Sequence, residues 1–396
     1  MIAGTITNIT ILLFFRTADV WLGLLPSLTG ASAFIEVILP LGLSFFTLQG
    51  ISYCVDVYNG KCASEKNPLY LGIYLSFFPK VIFGPLVSYS DMKNQMLFRK
   101  HTYAKFSAGI CLFIIGLAKK IFIADHMTLL ADYVFSWSAM GRNTVQVPVT
   151  LAWLGLLAYV LQLYFLLSAY SDMAMGLGMM MGFELPESFK YPYAADSISD
   201  FWRRFNITVT AWFRNYVFGA FRRSGRESKD TIVLDLLLIW ILIGFWYGSK
   251  WTFVFWGLWN FLLLLAEHFF GYARKYEKRL WLRAYTILAV MLGLVLFRVE
   301  NLYHAGRYYM NLLGTNHNAF FSDVALVLLR ENWLWFVLGI LFSLPVVSKF
   351  QYRLSTIGSG NDALTKNVAY PILMAGLLIL TFIFMGQNST VPFQYY

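Results

Sequence analysis

In a chain this apolar, the residues able to do chemistry are few enough to weigh singly. Glu36, Lys80, Lys119, Lys120, Asp172, Glu267 and its neighbour His268 fall in or at the ends of long apolar stretches. An ionisable group in such a place is costly, so function is its default reading. Asp172 closely follows Tyr164, Ser168, Tyr170 and Ser171, and hydroxyls gathered around a carboxylate suit either a helix contact or a polar cavity. The stretch "GFWYGSKWTFVFWGLWNF", Gly244 to Phe261, carries one charge, Lys250, and sets Tyr247 and Asn260 among aromatics and small residues. In Ser197–Phe221, Phe201, Trp202, Phe205, Trp212, Phe213 and Tyr216 interleave with Arg203, Arg204 and Arg214. That pattern suits a re-entrant or interfacial helix, and equally a surface helix with snorkelling arginines. Proton transfer and hydrogen bonding are the chemistry on offer. Cys54, Cys62 and Cys111 have neither metal-ligand nor disulfide spacing, so no metal site is expected.

These side chains must be held by membrane helices. Of the 396 residues 58% are hydrophobic, 18% aromatic and 13% charged, whereas soluble domains are ~45–50% apolar. Stretches near the roughly 20 residues that a bilayer requires run over 34–55, 68–90, 104–125, 148–170, 231–248, 251–271, 281–298, 331–348 and 370–387, with a weaker one at 5–15. The runs are continuous rather than alternating, which excludes a β-barrel. The expected fold is all-α: a polytopic transmembrane bundle of about nine or ten spans with re-entrant or interfacial helices. Lys119 and Lys120 read as the interfacial end of a short or re-entrant helix.

The net charge of +10 lies in loops. Arg222, Arg223, Arg226 and Lys229 precede the 231–271 pair of runs, Arg274, Lys275, Lys278, Arg279 and Arg283 follow it, and Lys349, Arg353 and Lys366 lie two spans later. The positive-inside rule puts these loops in the cytoplasm, and the connections at Lys250 and over 299–330 outside. Nucleic acid is then not needed to explain the charge. No internal repeat or linker divides the chain, so residues 1–396 read as one membrane domain, and no secretory signal opens it.

Several long blocks, in order, resemble the membrane-bound O-acyltransferase (MBOAT) family, in particular the bacterial branch of alginate and peptidoglycan O-acetyltransferase membrane subunits. They are "VILPLGLSFFTLQGISYCVDVYNGK" (37–61), "YLSFFPKVIFGPLVSYSDM" (74–92), "GLAKKIFIADHMTLLADYVF" (116–135), the long block over 164–218 that holds "AYSDMAMGLGMMMGFELPESF", and the stretch around Tyr247. The ending "NSTVPFQYY" (388–396) is similar as well. The first matching residues correspond to a point well inside a typical member, so one or two opening spans are expected to be missing.

The resemblance implies a funnel-shaped bundle in the bacterial inner (cytoplasmic) membrane. An acyl group, acetyl in this branch, would be carried from acetyl-CoA or another acyl carrier to hydroxyls of an extracytoplasmic polysaccharide. No bound cofactor is implied; membrane lipid, the polysaccharide and an extracytoplasmic acetyltransferase are the partners it suggests. A histidine base normally takes the hydroxyl proton, since a pKa near ~6.5 leaves a basic fraction at neutral pH. The family carries one histidine in a Trp-His-Gly triplet, a second in a Trp-His-Ile-Ser-Leu segment and a third closing a Trp-Gly-x-x-His turn. Tyr247, Asn206 and Asn260 stand at those places. Leu166, Asn215 and Ser88 also replace polar family residues.

The catalytic positions by resemblance are therefore Tyr247 and Asn206, and the expected cavity lining is Asp172, Tyr170, Ser171, Arg203, Arg204, Trp246 and Asn260, with Arg203 and Arg204 at its cytoplasmic rim. A phenol with a pKa near ~10 stays protonated at neutral pH and is a poor proton acceptor. His268 lies 21 positions beyond Tyr247, roughly 30 Å along a continuous helix at ~1.5 Å per residue. His101, His126, His304 and His317 read as solvated residues at span ends or in loops. Three readings stand: an acyltransferase with unusual catalytic groups, a catalytically degenerate member serving as a membrane scaffold or acyl-carrier binder, and an unrelated transporter-like bundle.

Overall fold

The computed structural model describes residues 1–29, 40, 42–140, 146–218, 229–270, 280–346 and 369–387. Among these residues all regular structure is helical. The helices are α1 (Ile2–Thr29), α2 (Leu43–Tyr58), α3 (Pro68–Ser76), α4 (Phe78–Val81), α5 (Tyr89–Phe98), α6 (Tyr103–Ala118), α7 (Asp125–Met140), α8 (Val149–Met180), α9 (Ile198–Arg204), α10 (Ile207–Trp212), α11 (Lys229–Tyr247), α12 (Trp251–Phe270), α13 (Leu280–Arg298), α14 (Leu302–Leu313), α15 (Asp323–Ser343) and α16 (Tyr370–Gln387). Two π-helical stretches, Lys119–Ala124 and Phe213–Phe218, follow α6 and α10. The side chain of Lys229, Glu36, the clusters at Arg222, Arg223 and Arg226, at Arg274, Lys275, Lys278 and Arg279, and at Lys349, Arg353 and Lys366, and the segment 388–396 lie outside what is described.

Five helical stretches among the described residues are long and apolar enough to cross a bilayer: Tyr103–Ala139, Val149–Met180, Trp251–Phe270, Leu280–Arg298 and Asp323–Ser343; Ile2–Phe15, Val233–Tyr247 and Tyr370–Gly386 are shorter apolar ones. The protein is a polytopic helical membrane protein. In α8, 72% of the most apolar stretch is buried, against 17% in α15. So α8 is the central post and α15 is the kind of helix that faces lipid.

Four sequence expectations change in the fold. The run at 68–90 is no span: Pro68, Pro79 and Pro85 divide it into α3, α4 and an extended stretch, because proline removes a backbone donor and clashes with the preceding turn. The helix expected to end at Lys119 and Lys120 continues to Met140, since Lys119 pairs with Asp172 at 2.5 Å and Lys120 with Asp125 at 2.9 Å. Paired ammonium groups no longer require the interface. The span expected over 148–170 does not stop there, and α8 runs on to Met180. Its small residues are contact points: a Cβ on Gly176 would lie 2.6 Å from the Gly109 carbonyl oxygen, and one on Gly116 2.8 Å from that of Ala169. Close backbone approach of this kind is how membrane helices associate. Finally, α1 fills 2–29 rather than a doubtful 5–15.

The two to four residues between the runs at 231–248 and 251–271 predict a tight hairpin, and the fold has one. Helices α11 and α12 are joined by Gly248, Ser249 and Lys250. A Cβ on Gly244 would meet the Phe253 carbonyl oxygen at 2.4 Å, and one on Gly257 that of Trp240 at 2.3 Å. The two backbones can touch because these positions carry no side chain, and that contact fixes how Tyr247, at the end of α11, faces Trp256 on α12.

Candidate functional site

Asn206 and Tyr247 meet although 41 positions separate them: the Asn206 Nδ2 group donates to the Tyr247 hydroxyl oxygen at 3.1 Å, both residues being buried. Asn206 links α9 and α10 with φ of 49°. Asparagine is among the few non-glycine residues that enter the left-handed region readily. The link is pinned from outside by Lys190 N–H donating to the Arg204 carbonyl at 2.9 Å and Ile207 N–H to that of Ser188 at 2.8 Å.

Rings enclose the phenol of Tyr247. Trp246, Phe297 and Trp256 lie 4.9, 5.1 and 5.4 Å away between centroids, all edge-on. Trp202 packs on Trp240 and Trp256 at 4.9 and 5.6 Å. The enclosed cavity is only about 10 Å³, lined by Leu163, Leu167, Phe201, Trp202, Phe205, Tyr247, Trp256, Asn260, Val290, Leu294 and Phe297. A space of that size is at the threshold for one water.

Asn260 faces this cavity with both ends of its amide engaged. Its Oδ1 accepts from the Trp202 indole at 3.1 Å and its Nδ2 donates to the Trp256 carbonyl at 2.8 Å. It ties α9 to α12 rather than presenting a free group. Trp246 packs on Phe45 of α2 at 5.6 Å and lies behind Tyr247, outside the cavity lining.

The remaining expected lining residues are elsewhere. Leu163 and Leu167 are the α8 side chains that line the cavity, and Asp172 pairs with Lys119 instead, beside the π-helical stretch. Tyr170 and Ser171 are likewise absent from the lining. Arg203 is exposed, and Arg204 pairs with Asp200 at 2.9 Å one helical turn back. A carboxylate with a lysine within reach is drawn to it, and arginines at a helix end find the carboxylate on their own face, so neither needs the cavity.

Glu267 is a helix clamp. Buried on α12, it accepts from the Ile198 and Ser199 backbone N–H groups at 2.5 and 3.0 Å and from the Ser199 hydroxyl at 2.7 Å. These are the first donors of α9, which have no partner inside the helix. Sequence reasoning took Glu267 as a functional candidate and missed this role. The local cue was the Ser197 cap, whose Oγ accepts from Asp200 N–H at 3.0 Å; nothing local could announce a carboxylate 69 positions on.

A helical membrane bundle enclosing a buried aromatic site on two short helices and a tight hairpin is the class that these features define. Residues 66–304 match the profile of the MBOAT, membrane-bound O-acyltransferase family. The chain belongs to that family. It is 39% identical over 316 residues to a protein named "Probable alginate O-acetylase" from Pseudomonas syringae pv. tomato, covering 78% of this chain and 59% of that one. It is 34% identical to a "Peptidoglycan O-acetyltransferase" from Helicobacter pylori, covering 80% and 65%, and 27% identical to a "Teichoic acid D-alanyltransferase" from Bacillus subtilis, covering 64% and 65%. The chain thus spans 59% to 65% of the length of these three relatives.

Proposed function

We propose that this chain is a membrane O-acyltransferase of the bacterial cytoplasmic membrane that passes an acyl group, acetyl by analogy with its relatives, to hydroxyls of an extracytoplasmic polysaccharide such as alginate or peptidoglycan. The observation that carries this reading is the buried Asn206–Tyr247 hydrogen bond, formed by the residues that stand where the family resemblance expects two histidines. Acetyl-CoA or another acyl carrier is the donor, and an extracytoplasmic acetyltransferase is a fitting partner.

The pair alters how the step runs. Asn206 donates to the phenol oxygen, so the Tyr247 proton is available for another acceptor. The group is thereby suited to hold an acyl carbonyl oxygen by hydrogen bonding, in the manner of oxyanion donors, and unsuited to take the proton of the attacking hydroxyl. Losing a general base costs ~10²–10⁴ in rate, so slow turnover follows.

The tight cavity favours a second reading: a catalytically degenerate member that serves as a membrane scaffold or acyl-carrier binder. Acetyl transfer to polysaccharide in membranes containing this chain, beside Tyr247→Phe and Tyr247→His, separates the two. Acyl transfer by the unaltered chain, lowered in Tyr247→Phe and raised in Tyr247→His, supports the first reading. Background rates in the unaltered chain and in Tyr247→Phe sink it.

A further inference from the structure

A second cavity, of about 100 Å³, opens where the ends of α7 and α13 meet the start of α14. It has more room for water than the cavity at Tyr247 and is quite different in character. Ser136, Ser138, Arg298, Glu300, His304 and Tyr308 line it together with apolar neighbours. Phe135 and Tyr308 stack on each other, 4.3 Å apart and 8° from parallel, and bring their ring edges to the lining. The His304 Nδ1 atom is buried and has no hydrogen-bond partner, although the same residue's backbone N–H is taken by the Asn301 cap at 2.9 Å. A buried ring nitrogen without a partner is costly unless something else meets it.

The charges narrow what that something is. The Arg298 guanidinium donates to Asp132 at 2.6 Å, which balances its charge, and Glu300 adds a carboxylate beyond that pair. An anionic ligand would meet Glu300 without a spare cation to offset it. The serine hydroxyls, an imidazole and a guanidinium beside the apolar Ala139 and Val299 offer donors and acceptors together with apolar edges, the mixture that a neutral sugar ring presents in return.

The location suits an acceptor. The cavity shares the end of α13 with the inner site: Phe297 lines the inner cavity and packs on Tyr247, and the next residue, Arg298, lines the outer one. The Thr252 hydroxyl reaches the Val299 carbonyl at 3.4 Å, so this end of the bundle is that of the α11–α12 turn, which the positive-inside rule reads as outward.

We propose that this cavity binds an uncharged, hydroxyl-bearing sugar unit of the acceptor polymer, held through His304 Nδ1, in preference to a hexuronate unit. The inference rests on the polysaccharide reading above and adds the acceptor class. The test is calorimetric binding to the full chain in lipid nanodiscs, with an N-acetylhexosamine trisaccharide and a hexuronate trisaccharide as probes. The neutral probe binds more tightly; His304→Ala weakens it about five- to tenfold, the worth of one buried hydrogen bond, and His304→Gln retains most of the affinity. Glu300→Gln narrows the gap between the probes. Ser136→Ala, a smaller change at the rim, is the second variant should His304→Ala fail to elute as the parent does, and it weakens the neutral probe in the same direction. Equal or tighter hexuronate binding, or neutral-probe binding untouched by the His304 and Ser136 substitutions, overturns the proposal. Neutral-sugar binding in a chain without acetyl transfer upholds this inference while defeating the enzymatic reading, so the two fail separately.

Discussion

Replacing Glu267 tests whether the short helix that carries Trp202 is held by one remote carboxylate. In Glu267→Ala the Ile198 and Ser199 N–H groups and the Ser199 hydroxyl lose the acceptor they share. A buried donor left unmet costs about 1–3 kcal/mol, and a bond to a charged acceptor contributes about 1.5–3 kcal/mol. Two backbone donors give about 2–6 kcal/mol; water reaching the half-buried Ser199 relieves part of this, so we expect a loss of about 3–4 kcal/mol. Glu267→Gln keeps one acceptor oxygen and turns an amide N–H toward a backbone donor, for a loss of about 2 kcal/mol. The assay is reversible unfolding of the purified chain in mild detergent by titration with a denaturing detergent, followed by tryptophan fluorescence. Because α9 also presents the Trp202 indole to Asn260, the emission of the folded state should shift as well. Glu267→Ala within about 0.5 kcal/mol of the parent, the range of ordinary surface substitutions, would refute the clamp.

Other expectations are narrower. Gly257→Ala sets a methyl 2.3 Å from the Trp240 carbonyl oxygen, which forces the α11–α12 hairpin apart and should lower stability by about 1–3 kcal/mol in the same titration; Gly306→Ala, inside α14 with nothing within 4 Å of the added carbon, should instead raise it by about 0.5–1 kcal/mol through helix propensity. Trp202→Phe removes the donor to Asn260 and should cost about 1 kcal/mol for the hydrogen bond plus the lost packing. Glu65, in the loop before α3, is held down from 4.5 to about 2 by its hydrogen bonds from Lys93, Tyr89 and the Asn67 backbone. A depressed carboxylate stabilises the fold above its unfolded pKa and loses that contribution as pH falls through its folded one. Acidification from about pH 4.5 to 2 should therefore destabilise the parent more than Glu65→Gln, as read by thermal unfolding at each pH.

Composition and pattern were enough to establish a helical membrane protein. Burying 58% hydrophobic residues with so few charges has one cheap solution in a bilayer, helices that satisfy their own backbone. The long ordered blocks were enough to reveal the family, and the two to four residues between the runs at 231–248 and 251–271 left room only for a turn. The sequence misread the points where side chains from distant segments answer one another. Lys119 and Lys120 looked like an interface because Asp172, 53 positions on, is invisible to a local window. Asp172 looked like a cavity residue for the same reason. Glu267 read as a functional candidate until α9 was seen to start on it. That Asn206 meets Tyr247, that the cavity beside Tyr247 measures about 10 Å³, and that a roomier polar cavity lies beside His304 are products of packing alone. Local sequence dictates which groups must find partners inside the membrane; which partners they find depends on how the helices cross, and that is settled only when backbones meet at residues as small as Gly244 and Gly257.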